Sequence, residues 1–385
     1  MSRGLTVGID ARELRGRPTG TGRYLRSLLR RWTASGDDRF VAYLNGPGET
    51  DAALRHPHVR VREVGSGRSR GLVWQERELE AAVRADAPDV FFSPAYSCPL
   101  RLRLPRVTAV HDLSFFSFPS DFALADALRR RLTVAASVRA SAAILACSEF
   151  TRGEIATRFP DAAPRVVHVP LGSDEDLAQA PARDAARARR GLPGPLLLTV
   201  GAILNRRCLP TLLRATALLR RRGVAANLDV VGENRTEPRL DLQRLAQDLG
   251  LAEAVQLVGY ASEADLAARY AAADVAVFLS EYEGFGLPAL EAAARGLPLV
   301  VADRPALSEV FGAAALRVDP QDAEAVAGAI ARLLREDDLR TDLVAQGREL
   351  AASLSWTETA RRTREVLAAA AGHGAVSAEG RPDLA

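Results

Sequence analysis

Two carboxylates, Glu283 and Glu291, flank the stretch Gly284-Phe285-Gly286-Leu287-Pro288-Ala289-Leu290. Glycines let another backbone or a ligand come close, and Pro288 suits the first position of a helix because its missing N–H costs nothing there. Leu287 stands where a Ser, Thr, Asp or Asn would cap that helix. Its first amides therefore have no local side-chain partner, and unshielded amides at a helix start attract anions. With two carboxylates beside such a site, the best-suited ligand carries both phosphate and several hydroxyls. A nucleotide sugar is one.

Other residues could serve the same ligand. Arg206 and Arg207 follow the apolar run Pro195–Gly201, and their guanidinium forks suit a diphosphate, each donating to two oxygens and offsetting charge on a departing nucleotide. Gly232 and Gly259 each end a strand-like run, and Tyr260 follows the last, so a nucleobase could approach the backbone there; Gly201, which ends the run before Arg206, is a further donor-binding candidate. Gly20-Thr21-Gly22 precedes a helix predicted from Arg23 to Trp32 and could turn amides toward a phosphate, although the third glycine of a dinucleotide fingerprint is missing. His111-Asp112 directly follows the strand-like Val107–Val110, at the strand end where parallel sheets bind ligands. Ser148 and Thr151 read as a helix cap.

The elements that must carry these residues alternate. Short apolar runs at 5–9, 40–44, 59–61, 89–92, 106–110, 143–146 and 166–172 are separated by helical or loop stretches, and the pattern resumes from Pro195. Strands alternating with helices predict α/β architecture with parallel, doubly wound sheets. The polar stretch Asp174 to Arg190, closed by Gly191-Leu192-Pro193-Gly194, divides the chain into a domain over 1–175 and a second over 192–355.

All 51 basic residues are arginine, so every cationic phosphate contact must be a guanidinium. A net charge of +3, without an aromatic-basic platform, does not point to nucleic acid. No run of eighteen apolar residues is present, and the N-terminus lacks a signal peptide's apolar region. The three cysteines, Cys98, Cys147 and Cys208, have no metal spacing and suit a reducing cytoplasm. Two helices carry arginine faces, Arg26, Arg30 and Arg31 on the first and Arg129, Arg130, Arg131 and Arg139 over Asp126–Ala142. These faces suit peripheral contact with an anionic bilayer.

Glu283 and Glu291, with Gly-Phe-Gly-Leu-Pro between them and Ala-Ala-Ala-Arg-Gly-Leu-Pro after, resemble the Glu-x7-Glu signature of retaining GT-B glycosyltransferases of family 4. The likeness extends from Leu5 to about Leu367. It implies two Rossmann-like domains facing a central cleft, with a helix over 356–371 crossing back to the first. The implied reaction moves a hexose, mannose or glucose, from a nucleoside diphosphate to a hydroxyl of a glycan, lipid-linked or small-molecule acceptor; no Asp-x-Asp metal motif is visible, so no metal and no cofactor are expected. By the family's pattern Glu291 holds the ribose, Glu283 a sugar hydroxyl, and the backbone at Gly284, Phe285, Gly286 and Leu287 the sugar or diphosphate. The same pattern sets His111 near the donor sugar, Arg206 and Arg207 on the leaving diphosphate, Gly20 and Gly22 facing that diphosphate, and Gly232, Gly259 and Tyr260 at the base. The family often has Arg-Lys-Asn where this chain has Arg206-Arg207-Cys208, which puts one contact in doubt. Rival readings are a GT-B sugar-nucleotide 2-epimerase and a non-catalytic nucleotide-sugar-binding scaffold.

Overall fold

A computed structural model describes residues 4–16, 19–34, 36–67, 71–173, 182–188, 191 and 193–373. The chain forms two compact units, one of 1–113, 128–171 and 356–385, the other of 114–127 and 172–355. The linker expected between 174 and 190 falls largely outside the described residues, with a short helix at Arg183–Ala188.

The first unit is built on seven parallel strands, β1 (Thr6–Asp10), β2 (Arg39–Asn45), β3 (Val59–Val64), β4 (Val90–Ser93), β5 (Arg106–Val110), β6 (Ala143–Ala146) and β7 (Val166–His168). Their order is β3-β2-β1-β4-β5-β6-β7, so the sheet is wound outward in both directions from β1 and β4. The second unit has six parallel strands, β8 (Leu196–Val200), β9 (Asn227–Val231), β10 (Val255–Val258), β11 (Val275–Phe278), β12 (Leu299–Ala302) and β13 (Leu316–Val318), in the order β10-β9-β8-β11-β12-β13. The predicted doubly wound architecture is thus present in both units, with the change of direction at β1/β4 and at β8/β11. Ligands of such sheets bind outside the carboxyl ends at that change of direction.

The central strands are covered on both faces, which is why they are continuous apolar runs rather than alternating ones, whereas the edge strands β3 and β10 are partly exposed. All four residues of β11 and of β12 are buried. The exception in β9 is Asp229, fully buried, and its carboxylate accepts from Arg269 Nη1 at 2.6 Å. The second core joins Leu197, Leu228, Val230, Val277 and Val300 from the sheet to Leu212, Leu213 and Ile330 from the helices Leu209–Arg221 and Ala323–Arg335.

In the first unit Trp32 stacks on Phe40 with centroids 5.5 Å apart and donates from Nε1 to the Ala360 carbonyl at 2.8 Å. Ala360 belongs to the helix Trp356–Ala370, which packs in this unit although it comes last in sequence. A second tie is Asp38, buried, whose carboxylate accepts from the Leu5 amide at 2.9 Å and from Arg364 Nε at 2.5 Å. The hydrogen bond it donates to Asp38 holds the Arg364 guanidinium above its ordinary pKa.

The segment 114–127 falls in the domain expected over 1–175 yet packs in the second unit. Phe118 lies against Tyr282 at 5.7 Å between centroids, and Asp121 accepts from Arg206 at 3.0 Å. Pairing between residues 85 positions apart leaves no local trace in the sequence.

Asp38→Ala is expected to lower stability by about 1–3 kcal/mol, because the buried Leu5 amide loses its acceptor. Urea unfolding of the variant against the parent measures it.

Candidate functional site

β11 leads through Ser280–Gly286 into the helix Leu287–Ala294. The helix begins one residue earlier than expected, with Gly286 as its cap and Pro288 in the first turn. Gly286 has φ +97, and a Cβ there would lie 2.7 Å from Leu307 and 3.0 Å from Phe311 of the helix Pro305–Phe311. Only glycine satisfies both demands. No side chain caps this helix. The Gly286 carbonyl accepts from Ala289 and Leu290, while among the described residues the amides of Phe285, Gly286 and Leu287 donate to nothing.

Glu283 lies beside those amides in sequence and is fixed from two sides. Its carboxylate accepts from Ser280 Oγ at 2.8 Å and pairs with Arg207 Nη2 at 2.9 Å. Arg207 also donates to the Val200 carbonyl at 3.2 Å, and its buried Nε has no partner among the described residues. Gly201, φ +121, admits this guanidinium, since a Cβ there would overlap it. The structure therefore joins Arg207, Gly201 and Glu283 at the ends of β8 and β11.

Arg206 faces another way. It is 8% exposed and ion-paired to the buried Asp121, so its guanidinium is not side by side with that of Arg207. The Arg206 carbonyl accepts from the Glu281 amide at 2.7 Å, which ties this loop to the turn after β11. Glu291 is 4% exposed, and the Tyr270 hydroxyl lies 3.2 Å from both its carboxylate and the Pro288 carbonyl.

Cys208 has φ +47 and caps the helix Leu209–Arg221 in the left-handed conformation. Asn tolerates that region better than other L-residues bearing a side chain, which gives a physical reason for an Asn here in the family. Burial and the nearby Glu281 carboxylate push the Cys208 thiol up to about 12, so it stays protonated at neutral pH.

Gly232, Gly259 and Leu257 line a groove with Ile203, Asn234 and Asp241 at the ends of β9 and β10. Gly232 (φ +156) is needed because a Cβ would strike the Gly201 carbonyl. Gly259 is open, with no atom near its would-be Cβ, and Tyr260 is half exposed.

In the first unit, Gly20 and Gly22 are part of the helix Gly20–Ala34 rather than a loop before it. Thr19 Oγ1 accepts from the Gly22 amide at 2.9 Å, so that amide is capped and not turned to a ligand. Gly22 serves packing: a Cβ would lie 2.5 Å from the Glu13 carbonyl. His111 Nε2 lies 2.8 Å from the Pro94 carbonyl, which can only accept, so Nε2 carries the proton and Nδ1 the lone pair. Burial lowers the His111 pKa, keeping the imidazole neutral. Tyr24 and Tyr96 meet the ring edge-on at 5.0 and 5.9 Å, and Tyr96 donates to Asp112 at 2.9 Å.

The first unit also contains a cavity not anticipated from the sequence, lined by Asp10, Arg12, Tyr96, Ser97, Arg129 and Arg130. Arg12 is preset there. It forks onto Asp10, donates to Gln75 at 3.1 Å and lies 4.7 Å over the Trp74 ring. Asp10-Ala11-Arg12, at and just beyond the end of β1, was the available signal, being a charged pair at the carboxyl end of a central strand.

Two Rossmann-like units with parallel sheets define the GT-B class of architecture. Family models match both halves, "Glycosyltransferase Family 4" over 18–177 and "Glycosyl transferases group 1" over 183–350. The chain is 29% identical over 371 residues to O-antigen chain mannosyltransferase B of Escherichia coli, covering 90% of this chain and 94% of that one. It is 35% identical over 214 residues to D-inositol 3-phosphate glycosyltransferase of Thermobispora bispora, a match over 52% of this chain and only 50% of that protein. Among solved structures, the sucrose-phosphate synthase of Thermosynechococcus elongatus superposes with a TM-score of 0.78 at 23% identity, over 94% of this chain and 98% of that one. The chain is a glycosyltransferase of GT-B fold, related to the group 1 and family 4 glycosyltransferases.

Two outcomes follow from the site. Cys208→Gly is expected to raise stability by up to about 1 kcal/mol through relief of the left-handed cap, read by thermal unfolding. For His111, the folded pKa lies below the ordinary 6.5, so the unfolded chain binds more protons between those two values. Stability contributed by His111 is therefore present above pH 6.5 and declines as pH falls toward the lowered value. A His111→Gln variant should lose that part of the acid-side decline when melting curves are compared across pH.

Proposed function

We propose that this enzyme transfers a hexose, mannose or glucose, from a nucleoside diphosphate to an acceptor hydroxyl, with the anomeric configuration retained. The observation that carries the reading is the turn after β11, where amides at Phe285, Gly286 and Leu287 without partners among the described residues sit next in sequence to a Glu283 held by Arg207. Amides and a guanidinium suit the diphosphate, and the carboxylate suits a sugar hydroxyl. When Glu283 turns to the sugar, Arg207 is released to the leaving diphosphate, so one ion pair is exchanged for two ligand contacts.

Further support comes from the groove at Gly232 and Gly259, open enough for a nucleobase against backbone, and from Glu291, buried beside Tyr270 in the manner of a fixed ribose acceptor. Arg206, neutralised by Asp121, then acts by shaping the loop more than by direct contact. The cavity around Arg12 and Tyr96 is the acceptor's place in this reading, and His111 shapes its wall through Pro94. Mannose draws support from the Escherichia coli relative, whose name states a mannosyltransferase. The acceptor is a glycan, a lipid-linked sugar or a small molecule, and three free cysteines suit action in the cytoplasm.

A panel of GDP-mannose, UDP-glucose and UDP-N-acetylglucosamine, read by thermal shift, should single out one donor. With that donor and an accepted acceptor, Glu283→Gln is expected to cut turnover by about 10²-fold or more with the melting temperature nearly kept. Nucleotide release that needs an acceptor supports transfer. A released, altered nucleotide sugar without acceptor, or an unchanged Glu283→Gln rate, would overturn it.

A further inference from the structure

A groove of about 440 Å³ opens in the second unit beside Asp274 and Pro298, which immediately precede the parallel strands β11 and β12. It therefore lies at the amino ends of those strands, whereas the turn carrying Glu283 lies at the carboxyl end of β11. Leu297, Leu334 and Val344 give the groove apolar sides, and three guanidiniums line it, those of Arg183, Arg340 and Arg348. Arg340, Val344 and Arg348 share one face of the helix Asp337–Ser353 at four-residue spacing. The only carboxylate in the lining among the described residues is Asp274. It is already paired with both Arg183 and Arg187 and accepts from the Leu196 amide at 2.7 Å. Arg340 pairs with Asp337 at 2.8 Å. Arg348 makes no hydrogen bond or ion pair among the described residues.

We propose that this groove binds an organic phosphate monoester, with the phosphate on Arg348 and the carbon skeleton along Leu297, Leu334 and Val344. The charge balance favours that ligand. Arg183, Arg187, Arg340 and Arg348 against Asp274 and Asp337 leave a surplus of two positive charges. A phosphate monoester carries about −1.5 to −2 at neutral pH. A guanidinium presents a rigid fork of five donors that matches phosphate oxygens, and the fork of Arg348 is wholly uncommitted. Arg183 and Arg340 keep further N–H groups beyond those in their ion pairs. A nucleic-acid strand is a poor occupant, because the other faces of the same helix carry Asp338, Asp342 and Glu349 and offer no continuous basic track.

Arg348 is preset for this role. Its guanidinium lies over Gly296, φ +76, where a Cβ would overlap it. Gly296 follows the last turn of the helix Leu287–Ala294, and the carbonyl end of a helix attracts a cation. The side chain is thus held at the rim with its donors still available. That helix starts at the donor turn and ends beside the groove, so its eight residues keep the two places about 12 Å apart. Neither Glu283 nor Arg207 lines the groove, and the inference does not depend on the reading of the donor site.

The test is titration calorimetry of the full chain with ribose 5-phosphate, glycerol 3-phosphate and inorganic phosphate, all at one ionic strength set by sodium chloride. At least one ester is expected to bind more tightly than inorganic phosphate, because only an ester reaches the apolar sides. Arg348→Gln should weaken that binding about tenfold, as one charge-assisted contact is lost. Arg340→Gln combined with Arg348→Gln should abolish it, while the ligand-free melting curve stays unchanged. Glu283→Gln should leave the affinity as it is, which separates this groove from the donor site. Four results would overturn the inference: no binding of either ester, inorganic phosphate bound as tightly as the esters, unchanged affinity in the two arginine variants, or binding lost in Glu283→Gln.

Discussion

The donor half of this enzyme depends on one backbone constraint, the left-handed Gly286 at the start of the helix Leu287–Ala294. Packing of Leu307 and Phe311 against its α-carbon leaves no room for a side chain. The chain can then turn from β11 into a helix within a few residues and present amides that nothing in the described structure claims. Because no side chain fits there, no Ser or Asp oxygen can cap this helix and take the place of a ligand's oxygen.

Around that turn the charged groups are paired in advance. Glu283 with Arg207, Arg206 with Asp121 and Glu291 with Tyr270 each hold a buried or half-buried polar group in a fixed place. Leaving such groups unpaired inside a protein is costly. Pairing them lets the ligand-free state persist without collapse of the site, and exchange of partners then accompanies binding. The same arrangement recurs in the first unit, where Asp10, Gln75 and Trp74 hold Arg12 at the rim of a cavity.

Much of this was legible in the chain. Continuous apolar runs ending in Gly or in charged residues mark the strand ends, and the glycines and acids of 283–291 mark the turn because local conformation requires those residue types. Contacts between distant segments were not legible. Asp121 reaches Arg206 across 85 residues, and no periodicity announces it. Gly20-Thr21-Gly22 invites a loop reading that hides Thr19 as the cap of Gly22, whereas close packing on the Glu13 carbonyl is what requires Gly22. The leucines at 124, 128 and 132 have the spacing of an ordinary amphipathic face, and only burial distinguishes their outward direction.

The most direct measurement is hydrogen–deuterium exchange of the backbone with and without a nucleoside diphosphate sugar that shifts the melting temperature. The account predicts slowed exchange over 282–290, with weaker protection at 201–208 and 230–234. Protection confined to other segments, with the turn after β11 exchanging as fast as in the free enzyme, would contradict it.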